Sequence, residues 1–93
     1  MKIEYSGHIE TRLRLRGIDR EVPRRIFEEG SERYLDTETG HHLAVMRTQL
    51  YGRNREVVVA YVIEQDCAIL LTIHPLKEGQ KDNRSRTGRW RKI

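Results

Sequence analysis

A chain of 93 residues, 37% hydrophobic and 34% charged, holds one small domain, because a second core would leave each half too short to fold unaided. No apolar run approaches the roughly 20 residues that cross a bilayer and no signal-peptide core opens the chain, so a cytoplasmic protein without membrane contact is expected. The lone Cys67 excludes an internal disulfide and suits a reducing compartment. Net charge is +4, but residues 1–76 carry 11 Lys and Arg against 12 Asp and Glu, whereas residues 77–93 carry 7 against 2. The sequence therefore divides into a near-neutral globular part, 1–76, and a basic C-terminal extension, 77–93.

Lys2 to Tyr5 alternates polar and apolar residues over the length of a short strand. Ser6 precedes a helical pattern with Ile9 and Leu13 on one face, and Gly17 ends it in the manner of a helix C-cap. Asp19 is the expected N-cap of a second helix that buries Val22, Ile26 and Phe27 and stops before Gly30, with Pro23 in its first turn.

Beyond Gly30 the period falls from about 3.6 to 2. Arg33 to Asp36 is a short strand, Thr37 to Gly40 a turn, His41 to Leu50 a long strand and Gly52 to Asn54 another turn. Glu56 to Pro75 reads as a hairpin. Its two aliphatic runs flank Glu64, Gln65 and Asp66, and their near-continuous apolarity means that both faces of these strands are covered. The order β-α-α-β-β-β-β predicts an α+β fold, an antiparallel meander with two N-terminal helices on one face. Leu76 to Arg86 has the composition of a polar helix, and Trp90 either anchors the tail on its own domain or stacks on a nucleobase.

His8, Arg12 and Arg16 recur at i, i+4 and i+8 and form a polar stripe beside the buried helix face. A histidine in the first turn sits at the positive end of the helix dipole, which favours neutral imidazole able to accept a proton, and the arginines are suited to an anion. The competing reading is a solvated face on which these arginines pair with Glu4, Glu10 or Asp19. In the hairpin, Tyr61, Thr72 and His74 are the polar groups within an apolar run. A two-residue loop would put His74 on the face of Tyr61, and a three-residue loop would put it with Val58, Ala60 and Val62. Arg47 alternates with Leu43 and Val45 in the long strand.

No histidine or cysteine pair has metal-ligand spacing, since His41 and His42 are adjacent in a strand and point to opposite faces, and no cofactor motif is present. Arg, His, Tyr and Lys on a small sheet suit RNA cleavage without a metal: a base takes the 2′-hydroxyl proton, an acid protonates the leaving oxygen and arginines stabilise the phosphorane. DNA, lacking that hydroxyl, should resist cleavage.

The run from His8 through Arg12 and Arg16 to Gly17 and Ile18, followed by an acid-capped helix and a sheet closing on Leu71 to Pro75, resembles domain-of-unknown-function family 4258. That family is grouped with the RelE/ParE-type toxins and the barnase, EndoU and colicin-like ribonuclease fold. The resemblance covers residues 2–75 and rests on the motif H-x3-R-x3-R-G. It implies an RNA-cleaving toxin, acting on RNA that includes ribosome-associated mRNA and neutralised by a small antitoxin protein. His8, Arg12 and Arg16 are the hallmark positions carried over, with Thr72 and His74 weaker. RelE-type toxins place arginines and a tyrosine or lysine on the sheet, for which Arg47 and Tyr61 are the implied equivalents, although a complete RelE catalytic set is not matched. The expected catalytic residues are thus His8, Arg12, Arg16, Tyr61 and His74. Expected RNA contacts are Arg47, Lys77, Lys81, Arg84, Arg86, Arg89 and Trp90. Two other functions fit the same fold: a non-catalytic RNA- or protein-binding module, and a ParE-like toxin that blocks an enzyme.

Overall fold

The computed structural model describes residues 1–93. In chain order it contains β1 (Lys2–Tyr5), α1 (Gly7–Arg16), α2 (Glu21–Glu29), β2 (Glu32–Asp36), β3 (His42–Leu50), β4 (Arg53–Glu64), β5 (Cys67–Pro75), α3 (Gln80–Arg86) and β6 (Trp90–Lys92). The α+β class holds, and β2 to β5 form the expected antiparallel meander. The complete sheet is mixed and has six strands in the order β1-β5-β4-β3-β2-β6. Two features correct the expected all-antiparallel arrangement. β1 runs parallel to β5 at one edge, and β6 closes the other edge antiparallel to β2. A parallel pair needs a long crossover, which the two helices and the meander supply together. The three residues of β6 are too few for an alternating pattern to show in the sequence.

Local signals set the helix ends. Ser6 caps α1 by accepting the Ile9 N–H at 3.1 Å, and Gly17, at φ 63°, donates its N–H to the Leu13 carbonyl. Asp19 accepts the Glu21 N–H at 2.8 Å, so it caps α2 from one residue further out than a standard N-cap. Gly30 is required by space, since a Cβ there would lie 2.6 Å from the Ile26 carbonyl oxygen and 3.0 Å from that of Val45.

Both faces of the sheet are covered, as the continuous apolarity of β4 and β5 implied. Under α1 and α2, Ile9, Leu13 and Ile26 pack on Val57, Val59, Leu70 and Ile73. On the opposite face Tyr34, Leu43, Val45 and Val58 are covered by Trp90 and Leu76. The segment after Leu76 is therefore not a loose basic tail. It folds back as α3 and β6 over a second core.

Candidate active site

A β-bulge decides which polar groups of the hairpin meet. The β4–β5 loop has two residues, Gln65 and Asp66, because Glu64 faces Cys67. Tyr61 then faces Leu70, but Ala60 faces Thr72, so Leu71 is an extra residue that inverts the phase of everything after it. His74 consequently pairs with Val58 on the face away from the helices, whereas Tyr61 lies on the helix face. Tyr61 and His74 do not share a site. Reading loop length alone could not give this outcome, because the loop is of one type and the phase that of the other.

Ser6 fastens the helix start to the bulge. Its N–H donates to the Leu70 carbonyl at 2.9 Å and its hydroxyl donates to the Leu71 carbonyl at 3.0 Å. One side chain thus caps α1 and satisfies the irregular stretch of β5. Ser6→Ala is expected to cost about 1–2 kcal/mol through the cap alone, lowering the melting temperature by about 4–8 °C per kcal/mol in thermal unfolding.

β1 pairs with β5 only as far as Leu70, so the outer edge of β5 beyond it is not covered by a strand. α1 packs on β5, and the charge of its Arg12 is felt at His74 on that strand. Arg12 is half-buried, enters no ion pair, and its Nε is buried without a hydrogen-bond partner. The three carboxylates proposed to neutralise the stripe are engaged elsewhere, Glu10 with Arg20 at 2.5 Å, Glu4 with Lys2 at 3.6 Å and Asp19 with the Glu21 N–H at 2.8 Å. His74, also half-buried, has its pKa lowered from the usual 6.5, first by burial and then by the positive charge of Arg12. The neutral form of His74 is thereby favoured within the electrostatic reach of a guanidinium that has no carboxylate partner, and such groups have the chemistry to accept a proton and to hold an anion. His8, one turn before Arg12, is exposed, and Arg16 is exposed at the far end of the helix.

Tyr61 belongs to another cluster. His42 stacks on its ring with centroids 5.4 Å apart, Phe27 meets it edge-on at 4.9 Å, and Arg33 donates to its hydroxyl at 3.4 Å. Arg33 also donates to the Phe27 carbonyl and lies over both aromatic rings. With Tyr61 buried, this cluster fixes the end of α2 to the sheet.

The basic extension separates into two populations. Lys81 donates to Glu56 at 2.7 Å and to Glu32 at 3.0 Å, and the Tyr34 hydroxyl donates to Glu32 at 2.6 Å. The hydrogen bond that Lys81 donates to Glu56 raises the Lys81 pKa against its burial, while Tyr34, pushed up to about 12 by burial and by Glu32, stays protonated. Arg89 lies 3.4 Å from Asp36 and 3.3 Å from Glu38, and Trp90 is buried against Tyr34. Lys81, Arg89 and Trp90 thus tie the extension to the sheet, which leaves Trp90 no free ring for a base. Lys77 and Arg86 are exposed and Arg84 is half-buried. Arg47, Arg53, Arg55 and Lys77 line an open cleft of about 540 Å³ in which Leu76 is the one hydrophobic residue.

No three His, Cys, Asp or Glu side chains converge in a group that could hold a metal ion. No helix is long and apolar enough to cross a membrane. Comparison with protein-family models, curated proteins and solved structures finds no match to this chain.

Proposed function

We propose that the protein is a cytoplasmic, metal-independent endoribonuclease of the toxin–antitoxin type, the function implied by its resemblance to family 4258 and the RelE/ParE-type toxins. The observation that carries the reading is Arg12, a half-buried guanidinium with no carboxylate partner, whose charge adds to burial in lowering the His74 pKa and favouring its neutral imidazole. Neutral His74 accepts the proton of the 2′-hydroxyl, and the 2′-oxygen then bonds to the adjacent phosphorus. Arg12 stabilises the negative charge gathered on the phosphorane. The bond from phosphorus to the 5′-oxygen breaks, with exposed His8 the candidate donor of the proton that this oxygen needs. Products are a 2′,3′-cyclic phosphate and a 5′-hydroxyl. A small antitoxin that covers the Arg12–His74 edge would silence the enzyme.

The expected result is cleavage of single-stranded RNA in excess chelator, cyclic phosphate on the product ends and an intact 2′-deoxy strand. Cleavage of the deoxy strand, or 3′-hydroxyl ends that vanish on chelation, would sink the mechanism. A non-catalytic RNA-binding module is the second reading, favoured by the absence of a hydrogen-bonded acid or orienting partner on His74. It predicts RNA bound and recovered uncut.

A further inference from the structure

The turn joining β3 and β4 carries an aromatic ring in an unfavourable backbone position. Leu50 faces Arg53, so the loop is the pair Tyr51 and Gly52, at φ 54° and 74°. Two-residue hairpin turns with positive φ at both positions favour Asn-Gly, and a bulky side chain at the first position is a strained choice. Tyr51 is 42% exposed and belongs to neither core. The ring lines a shallow hollow with Arg16, Ile18 and Val22, and the Arg55 guanidinium sits 5.9 Å from its centroid. Strain held at an exposed aromatic calls for a role outside folding.

A cleft with more cations than carboxylates reaches this turn through Arg55, and Glu56, Glu78 and Asp82 line it as well. Its cations Arg47, Arg53, Arg55 and Lys77 enter no ion pair, and the Arg55 Nε is buried without a partner. Lys81, in the same cleft, is already neutralised by Glu32 and Glu56. A wall with a single apolar residue gives a peptide no pocket for side-chain anchors, whereas guanidinium groups beside an exposed aromatic match the alternating phosphates and bases of a single nucleic-acid strand. The cleft also leads toward the proposed chemistry. Arg47 and Glu56 face each other, and His74 lies on the same side of the sheet opposite Val58, two residues along β4.

We infer that the β3–β4 turn and its cleft form a binding track for single-stranded RNA, in which Tyr51 stacks on a base while Arg47, Arg53, Arg55 and Lys77 hold phosphates. This rests on the ribonuclease reading, since it names the route by which substrate reaches Arg12 and His74. Stacking and phosphate pairing do not read the 2′-hydroxyl, so a 2′-deoxy strand occupies the track without being cut.

The test is fluorescence anisotropy of the full chain with a labelled deoxy-uridine 12-mer over a range of salt. Tyr51→Asn suits the turn better than tyrosine, so the variant should melt no lower than the parent while binding roughly five- to 150-fold more weakly, the effect of removing one stacked base. Arg53→Gln with Arg55→Gln should reduce the salt slope by about 0.7 for each phosphate left without its guanidinium. Unchanged affinity in Tyr51→Asn, or an unchanged slope in the double variant, overturns the track. Displacement of the strand by an acidic peptide to which Tyr51→Asn binds as tightly as the parent also overturns it and assigns the cleft to a protein partner. Binding and cleavage are read separately: deoxy-strand binding that responds as expected, with RNA left uncut, keeps the track and removes the nuclease. Cleavage that survives with binding indifferent to these residues does the reverse.

Discussion

Trp90→Ala should be the most destabilising single change in the C-terminal extension, costing about 3–5 kcal/mol and lowering the melting temperature by at least roughly 12 °C. The indole is 5% exposed and its ring lies 5.6 Å from that of Tyr34, in the core that covers the sheet face away from α1 and α2. Truncation removes that packing and loosens β6, whose backbone holds β2 through the Thr37 N–H to the Arg89 carbonyl at 2.7 Å and the Ile93 N–H to the Arg33 carbonyl at 3.0 Å. Arg86→Ala, at an exposed position of the same extension, is the control and should change stability by no more than about 0.5 kcal/mol. Thermal unfolding followed by circular dichroism reads both. A Trp90→Ala protein that melts with the parent would return the indole to solvent and to a role in stacking on a base.

The sequence made some parts of this molecule legible because their causes are local. Ser6, Gly17 and Asp19 act on backbone groups within a few residues, and the aliphatic runs of β4 and β5 record that both faces are covered. The bulge at Leu71 could not be read. It sits in the unbroken run Ala68 to Leu71, where every residue suits either face, and only the bond from Ser6 to its carbonyl, 65 positions away in the chain, marks it. That one insertion separates Tyr61 from His74. Charge in the extension misled for a related reason, since composition counts Lys81 and Arg89 as free cations. Their partners Glu32, Glu56 and Asp36 lie on β2 and β4, and no spacing along the chain announces them. The i, i+4 stripe singled out Arg12 as a candidate. What makes it distinctive, the absence of a carboxylate partner, is a property of the folded chain that no spacing records. Arg33 and His42 around Tyr61 carried no signal, because they meet it across strands. The Tyr51-Gly52 pair did carry one: a tyrosine in the Asn position of a two-residue turn, followed by Arg-x-Arg, is legible once the turn is placed one residue earlier than Gly52 to Asn54.

The largest effect on activity is expected at the open edge of β5. His74→Ala removes the proposed base and should lower RNA cleavage by about 10²–10⁴-fold, while Arg12→Ala, which removes the group facing the phosphorane, should lower it by about 10²–10³-fold. Arg12→Lys keeps the charge and should recover part of the loss, which separates an electrostatic role from a packing one. The pH dependence gives the sharper criterion. Burial and the Arg12 charge lower the His74 pKa below 6.5, so kcat/KM should climb along a limb centred below that value, and removing the Arg12 charge should move the limb upward. Stability carries the same signature. Between the lowered pKa and 6.5 the unfolded chain binds the extra proton and the folded one does not, so stability is full above about 6.5, falls as pH drops through that window and levels off beneath the folded pKa. His74→Gln should erase that part of the pH dependence. A cleavage limb that stays in place in Arg12→Ala, or a His74→Ala enzyme that cuts RNA at the parental rate, would remove this pair from the mechanism and leave the fold as a binding module.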